Sequence, residues 1–105
     1  MITCGDGKYR VWLKTQKVGE DRLYILGGGE RPHIGSTVVK EPGQDVRTMV
    51  LSDHKDHLVM VPMAEKACEK YDVTVAVVGG VHIEDASKED IDMIVENCKE
   101  LMKCI

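Results

Sequence analysis

The nine residues 27–35, Gly-Gly-Gly-Glu-Arg-Pro-His-Ile-Gly, constrain the fold of this chain more than any other stretch. They separate an apolar run from a β-branched run, which predicts a connection between two strands. Consecutive glycines accept positive φ and let a ligand approach the backbone closely. Pro32 fixes its own φ and holds Arg31 extended, so that His33 is presented at a defined angle. We therefore predict a loop that either only turns the chain or carries part of a binding site.

Two further polar stretches follow strand-like runs in the same way. Residues 79–83, Gly-Gly-Val-His-Ile, come after the apolar run 73–78, and residues 53–57, Asp-His-Lys-Asp-His, come after the run 49–51. All four histidines of the chain lie just past such a run. Because rigid scaffolds often hold their chemistry in loops at strand ends, we predict that these three loops form one site.

The order of periodic segments predicts one α+β domain spanning residues 1–105, with elements in the order ββββαβα. We expect a mixed, largely antiparallel sheet with two helices on one face. The predicted strands are 9–15, 23–26, 37–40, 46–51 and 73–78. The fifth strand is apolar at nearly every position, which is typical of a strand buried on both faces.

Two helices follow from three- and four-residue spacing of apolar side chains. The first carries its stripe from Met60 to Tyr71, and Pro62 implies either a start near Val61 or a distorted earlier turn. The second follows Ser87 and Asp90, whose spacing is a variant of the capping box. These helices complete the predicted domain.

Composition excludes several classes of protein. The net charge is −4 with 30% charged residues and no basic block, so no nucleic-acid partner is predicted. No apolar run reaches the roughly 18 residues of a membrane span, and the first residues lack the apolar core of a signal peptide. The four cysteines form no Cys-x-x-Cys pair. We expect a cytoplasmic protein in which Cys68 and Cys98 are buried thiols, and we assign Cys104 no role.

The length of the chain bears on oligomeric state. A domain of 105 residues buries roughly two thirds of its unfolded surface, which leaves little wall for a deep private pocket. This favours a homo-oligomer with a site shared between subunits. Trp12 lies on the otherwise polar face of its strand, so it is a candidate for the subunit contact or for partial cover of the sheet.

A divalent metal is one chemistry that the polar stretches allow. His54 and His57 are three residues apart, which on a helical turn points their rings the same way. The pattern His-Glu-x-x-His is absent. The candidate metal ligands are His33, His54, His57 and His82, with Asp53 and Asp56.

An anionic ligand is the second chemistry. Glycine-rich turns expose N–H groups to phosphate, and Arg31, Lys55 and a helix starting after Asp56 add positive charge. Neither a Walker loop nor the dinucleotide-binding Gly-x-Gly-x-x-Gly is present. Glu30 and Asp53 argue against a bare anion site. A phosphate that carries an extended heterocycle suits this mixture better.

At residues 28–35, 54–56 and 80–82 the sequence resembles the prenylated-flavin chaperone family, the LpdD-like small subunit associated with gallate decarboxylase. The resemblance runs from about residue 8 to 95, and Pro-His-Ile-Gly at 32–35 is its most specific part. It implies an accessory protein that helps a UbiD-type decarboxylase acquire or retain prenylated flavin mononucleotide. The residues it marks as cofactor-binding are Gly28, Pro32, His33, Gly35, His54, Lys55, Asp56, Gly80 and His82, to which Arg31 is added for its charge. Val81 replaces an expected isoleucine, and Gly27 and His57 match nothing in the pattern.

A different class of function remains open at this point. The histidines at 33, 54 and 82 also suit a small homo-oligomeric enzyme that uses them for acid–base or metal-assisted chemistry near neutral pH. No nucleophile stands beside them, since Ser36 and Ser52 are ordinary strand-end residues. We therefore favour the accessory binding protein.

Overall fold

A six-stranded sheet and two helices form the structure, a computed structural model that describes residues 1–51 and 55–105. The elements in chain order are β1 (Ile2–Cys4), a 3₁₀ turn (Gly7–Tyr9), β2 (Val11–Val18), β3 (Asp21–Gly28), β4 (Arg31–Lys40), β5 (Arg47–Val50), α1 (His57–Tyr71), β6 (Val75–His82) and α2 (Lys88–Met102). The strand order in the sheet is β1-β2-β3-β6-β4-β5. Among the paired strands of the described residues, β3 and β6 run parallel and the other pairs are antiparallel. The predicted α+β fold is confirmed, although the three-residue strand β1 was too short to be recognised.

Both helices pack on one face of the sheet and form the core there. Alternate strand residues point to this face, as in the buried pair Leu13 and Leu26, which are cross-strand partners. Five residues of α1 are buried against them: Met60, Met63, Ala64, Ala67 and Cys68. Full burial of each large apolar side chain contributes about 1.5–3 kcal/mol. This packing holds α1 against β4 and β6.

The start of α1 differs from one of the two expectations. The helix begins at His57 and not near Val61, so Pro62 is its sixth residue. Proline cannot donate the backbone hydrogen bond to the carbonyl of Leu58. Burial of Met60 and Met63 on either side compensates for the missing bond. The first turn of α1 is thus held by packing.

The capping box of α2 is confirmed. Ser87 Oγ accepts a hydrogen bond from the backbone N–H of Asp90 at 3.1 Å, and Asp90 Oδ2 accepts one from the N–H of Ser87 at 3.0 Å. These bonds fix where α2 begins, next to the C-terminal end of β6.

The glycine-rich stretch is not the loop that its composition suggested. Strand β3 continues through Gly28 and β4 begins at Arg31, so only Gly29 and Glu30 lie between the two strands. Since β6 is inserted between β3 and β4, this short connection passes the end of β6, where the N–H of Glu30 donates to the carbonyl of His82 at 2.8 Å. Residues 80–82 likewise belong to β6. In the described residues no helix is long and apolar enough to cross a membrane.

Candidate functional site

A β-bulge in β4 contains the most specific sequence motif, Pro-His-Ile-Gly at residues 32–35. Pro32 pairs with Val81 and Ser36 pairs with Gly79, so four steps along β4 match two steps along β6. The two extra residues fall within 33–35. A bulge bends its strand and re-aims side chains, and such irregularities are frequent beside functional sites. The bulge therefore explains why a histidine within a strand is turned toward the N-terminus of α1.

Two glycines provide the space into which His33 and Asp56 fit. A Cβ on Gly35 would overlap Asp56 Oδ2 and lie 3.1 Å from His33 Cε1. A Cβ on Gly80 would lie 2.8 Å from Asp56 Oδ2 and 2.9 Å from His33 Nε2. Neither glycine has a positive φ. Glycine is needed at these two positions because a side chain would have no space, whereas the sequence had suggested a need for positive φ.

Asp56 connects α1 to the sheet. Its Oδ1 accepts the N–H of Val81 at 2.9 Å, and its Oδ2 lies 3.6 Å from His33 Nε2. The carboxylate makes no capping hydrogen bond to α1, although Asp56 is the N-cap residue. Because both oxygens face partners within the protein, Asp56 acts in this structure as an internal tie.

His82 lies beside His33 at the end of β6. The two ring centroids are 5.7 Å apart and the rings meet edge-on at 71°. His82 Nε2 is 2.9 Å from Glu84 Oε2, and this hydrogen bond lowers the pKa of the Glu84 carboxyl. The N–H of Glu84 in turn donates to Glu30 Oε1 at 3.0 Å. The sequence analysis missed Glu84. The available signal was a carboxylate two residues past His82.

A cleft opens on the helix side of the sheet, where α1 and α2 begin beside the end of β6. This helix-side cleft has a volume of about 370 Å³. Its polar lining is Lys55, Asp56, His82 and Asp90, and its apolar lining includes Leu58, Val81, Ile83, Ile91 and Ile94. It is within the size range of small-ligand sites and combines apolar walls with a few polar groups, as such sites do.

Asp90 stabilises one wall of the helix-side cleft. Its Oδ1 accepts the Tyr9 hydroxyl at 2.6 Å and lies 3.3 Å from Lys8 Nζ. The hydrogen bond from Tyr9, followed by the backbone N–H of Ser87, lowers the pKa of Asp90 to about 2. This carboxylate is therefore ionised and already bonded at neutral pH.

A second depression lies on the opposite face of the sheet. This sheet-side hollow, of about 400 Å³, is almost entirely apolar. Its lining is Trp12, Leu23, Ile25, Leu26, Pro32, His33, Ile34, Val78 and Gly79. Pro32, His33 and Ile34 of the bulged segment border this hollow, and His33 also faces Asp56, which lines the helix-side cleft.

The predicted single site is only partly assembled. The structure brings His33, Asp56, Gly35, Gly80 and His82 together, and Lys55 joins them at the helix-side cleft. Gly28 is placed apart, and a Cβ there would overlap the carbonyl oxygen of Arg10. Arg31 is exposed beside its cross-strand partner His82. His54, and Asp53 with it, lies outside the described residues.

The metal hypothesis finds no support in the described residues. Among them, no three His, Cys, Asp or Glu side chains are grouped to hold an ion. Of the proposed ligands, His33 faces Asp56 and His82 faces Glu84, while His57 is the first residue of α1. The carboxylates orient the imidazoles, and within residues 1–51 and 55–105 no third ligand joins them.

Comparison with solved structures identifies the class of fold. The chain superposes on one from the crystal structure of a novel chaperone complex for yeast 20S proteasome assembly, with a TM-score of 0.52. The alignment covers 98% of this chain and 94% of that one at 14% sequence identity. At that identity the likeness concerns the fold alone.

Sequence comparison identifies the family. The model of the prenylated flavin chaperone LpdD-like domain matches residues 5–105. Protein LpdD of Lactiplantibacillus plantarum is 30% identical over 100 residues, an alignment that covers 86% of this chain and 70% of that protein. The chain therefore belongs to the prenylated flavin chaperone LpdD-like family, as the resemblance implied. The acid–base enzyme considered above receives no support from these comparisons.

Proposed function

We propose that this protein binds prenylated flavin mononucleotide in the helix-side cleft and supplies it to a UbiD-type decarboxylase, acting as a homo-oligomer. Membership of a family described as prenylated flavin chaperones supports the cargo. The observation that carries the location is the composition of the cleft, which combines a largely apolar lining with the polar side chains of Lys55, Asp56, His82 and Asp90.

The cleft fits the two halves of a flavin mononucleotide. The ring system is flat and mostly apolar, and Leu58, Ile91 and Ile94 offer it apolar contacts. The phosphate is an anion, and Lys55 lies just before the first residue of α1, where the helix dipole is positive. The cleft thus offers apolar contact and positive charge within one volume.

The negative charges in the cleft are already engaged. Asp56 accepts the N–H of Val81, and Asp90 accepts the Tyr9 hydroxyl and the N–H of Ser87. Hydrogen bonds to a carboxylate stabilise its charge, and Lys8 Nζ, 3.3 Å from Asp90 Oδ1, offsets part of the negative charge of Asp90. Lys55 carries no such internal bond among the described residues, so it is the cation that we assign to the phosphate.

Titration of the purified protein with prenylated flavin mononucleotide, followed by flavin absorbance and fluorescence, tests this assignment. Lys55→Glu reverses the charge that we assign to the phosphate, and we expect it to raise Kd about tenfold or more, equivalent to at least about 1.4 kcal/mol. His82→Ala removes a polar group from the cleft lining and is expected to weaken binding less. Lys17→Glu, an exposed change on β2, is the matched control for net charge.

The results separate the location from the cargo. Loss of affinity in Lys55→Glu but not in Lys17→Glu supports the helix-side cleft. Equal affinity in both variants and wild type contradicts that location. Absence of any flavin binding by the wild-type protein contradicts the proposed cargo itself.

A second experiment tests the partner. A UbiD-type decarboxylase produced with and without this protein is compared for its content of prenylated flavin, measured by absorbance after purification. We expect a higher flavin content with the wild-type protein than with Lys55→Glu. An equal flavin content in all samples would contradict the accessory role.

A further inference from the structure

The sheet face opposite the helices carries largely apolar, uncharged rows across β3, β6 and β4, and nothing in the described chain covers them. The strand register aligns Ile25 with Val78, Val78 with Thr37, and Thr37 with Met49 across four adjacent strands. The next row aligns Leu23, Ala76 and Val39. A sheet with helices on one face normally alternates apolar and polar residues, so that its open face is polar. This open face breaks that rule.

Strand β6 shows the same feature in its sequence. Val75 and Val77 are fully buried against the helices, while Ala76 and Val78 point to the other face and stay half-buried. The sequence predicted a strand buried on both faces, and within this chain only one face is covered. A second cover must come from outside the described residues to complete the pattern.

Trp12 makes the face flat. It is the cross-strand partner of Gly27, and a Cβ on Gly27 would overlap the indole ring. The ring therefore lies over the backbone of β3 and does not stand out from the sheet. Flat apolar faces of two sheets pack together about 10 Å apart with their strands about 30° from alignment.

Size and charge favour a second copy as the cover. The shortest dimension of the domain, 18 Å, corresponds to one sheet and one helix layer, so the open face is bounded by the other two, 37 and 27 Å. That area accommodates the roughly 800 Å² per partner of a standard interface. Charged residues of this face lie toward its margins: Lys14 in β2, Asp21 at the start of β3 and Arg47 in β5. An uncharged centre favours contact with a second copy, because around a two-fold axis the same surface patch of each copy meets the other.

We propose that two copies of this protein pack their open sheet faces together around a two-fold axis. This inference rests on the proposed self-association and assigns the surface that mediates it. Each copy then covers the sheet-side hollow of the other, including Trp12 and Ile34. Both helix-side clefts remain on the outside of the dimer, accessible to flavin and to the decarboxylase.

Sedimentation velocity at micromolar concentrations tests the assignment. We expect the wild type to sediment at twice 11.7 kDa. Ile25→Glu places a charge at the centre of the face and should give monomer. Met49→Glu, at a side chain that is 69% exposed, should leave the fold intact and raise the dimer Kd about tenfold. Met93→Glu, at a residue of α2 that is 42% exposed on the helix side, is the matched control and should remain dimeric.

The outcomes distinguish failure of the proposed surface from failure of self-association itself. A wild type that is entirely monomeric overturns both. A wild type that self-associates, with Met49→Glu and Ile25→Glu unchanged, retains self-association and overturns the sheet face as its surface. If Ile25→Glu fails to fold, as judged by circular dichroism, Met49→Glu alone decides. Specific loss in the sheet-face variants, with Met93→Glu unaffected, supports the proposal.

Discussion

The two faces of the sheet carry the same apolar residue types but serve different purposes. On the helix side, the bulge at 33–35 and the paired glycines admit a histidine and a carboxylate into the structure, and the cleft beside them combines apolar walls with polar side chains. On the open side, the rows around Ile25 and Val78 contain no charged group at their centre. The difference suggests that one side selects a small amphipathic ligand, while the other only requires a flat apolar cover.

The largest effect is expected from Gly35→Val. The new side chain would overlap Asp56 Oδ2 and displace the tie between α1 and β6. Overpacking of this kind typically costs about 1–3 kcal/mol and occasionally more. A thermal melt should show a large loss of stability, together with loss of flavin binding.

The control for this change is Gly43→Ala, in a turn where a Cβ would meet nothing within 4 Å. Gly43 has a φ of 76°, so this variant carries backbone strain without steric overlap. Equal destabilisation by both variants would show that the space around Asp56 is not the reason for glycine at position 35.

A smaller effect distinguishes the two histidines. The His33 side chain is 16% exposed and faces Asp56, so His33→Ala should lower the free energy of unfolding by about 1–2 kcal/mol. His82 is more exposed and borders the cleft, so His82→Ala should change stability by less than about 1 kcal/mol while weakening flavin binding. Urea unfolding and flavin titration of both variants measure this contrast. Equal stability losses would remove the distinction between a structural and a ligand-facing histidine.

The dependence of stability on acid pH is a third test, with a smaller expected effect. The hydrogen bond from Tyr9 lowers the pKa of Asp90 to about 2 from an ordinary value of 3.8. A carboxyl with a lowered pKa in the folded state stabilises the fold above its unfolded pKa, and this contribution is lost as pH falls through the folded pKa. Wild type should therefore lose stability between about pH 5 and pH 2. Tyr9→Phe should raise the pKa of Asp90 and move the acid transition to higher pH. An unchanged acid transition in Tyr9→Phe would contradict this role of the hydroxyl.

Sequence reasoning identified the α+β fold because its signals were local. Alternation in β2, the apolar run of β6 and the Ser87–Asp90 capping box each specify an element within a few residues. The convergence of His33, His54 and His82 was predicted from their shared position at strand ends beside glycine or acidic residues. The rings of His33 and His82 do meet, whereas His54 lies outside the described residues.

The remaining features depend on contacts that are distant in the chain. The bulge in β4 exists only relative to β6, and glycine at positions 35 and 80 reflects the approach of Asp56. A single sequence cannot distinguish a glycine needed for space from one needed for φ. The division into a helix-side cleft and a sheet-side hollow likewise depends on which face the helices cover, which periodicity leaves open.

Hydrogen-exchange mass spectrometry with and without prenylated flavin mononucleotide tests the central claim most directly. If the flavin occupies the helix-side cleft, amides of the first turn of α1 and of residues 81–86 should gain protection on binding. The strands that carry the open face should show no flavin-dependent change. Flavin-dependent protection confined to residues 23–26 and 32–34, which line the sheet-side hollow, would contradict the account.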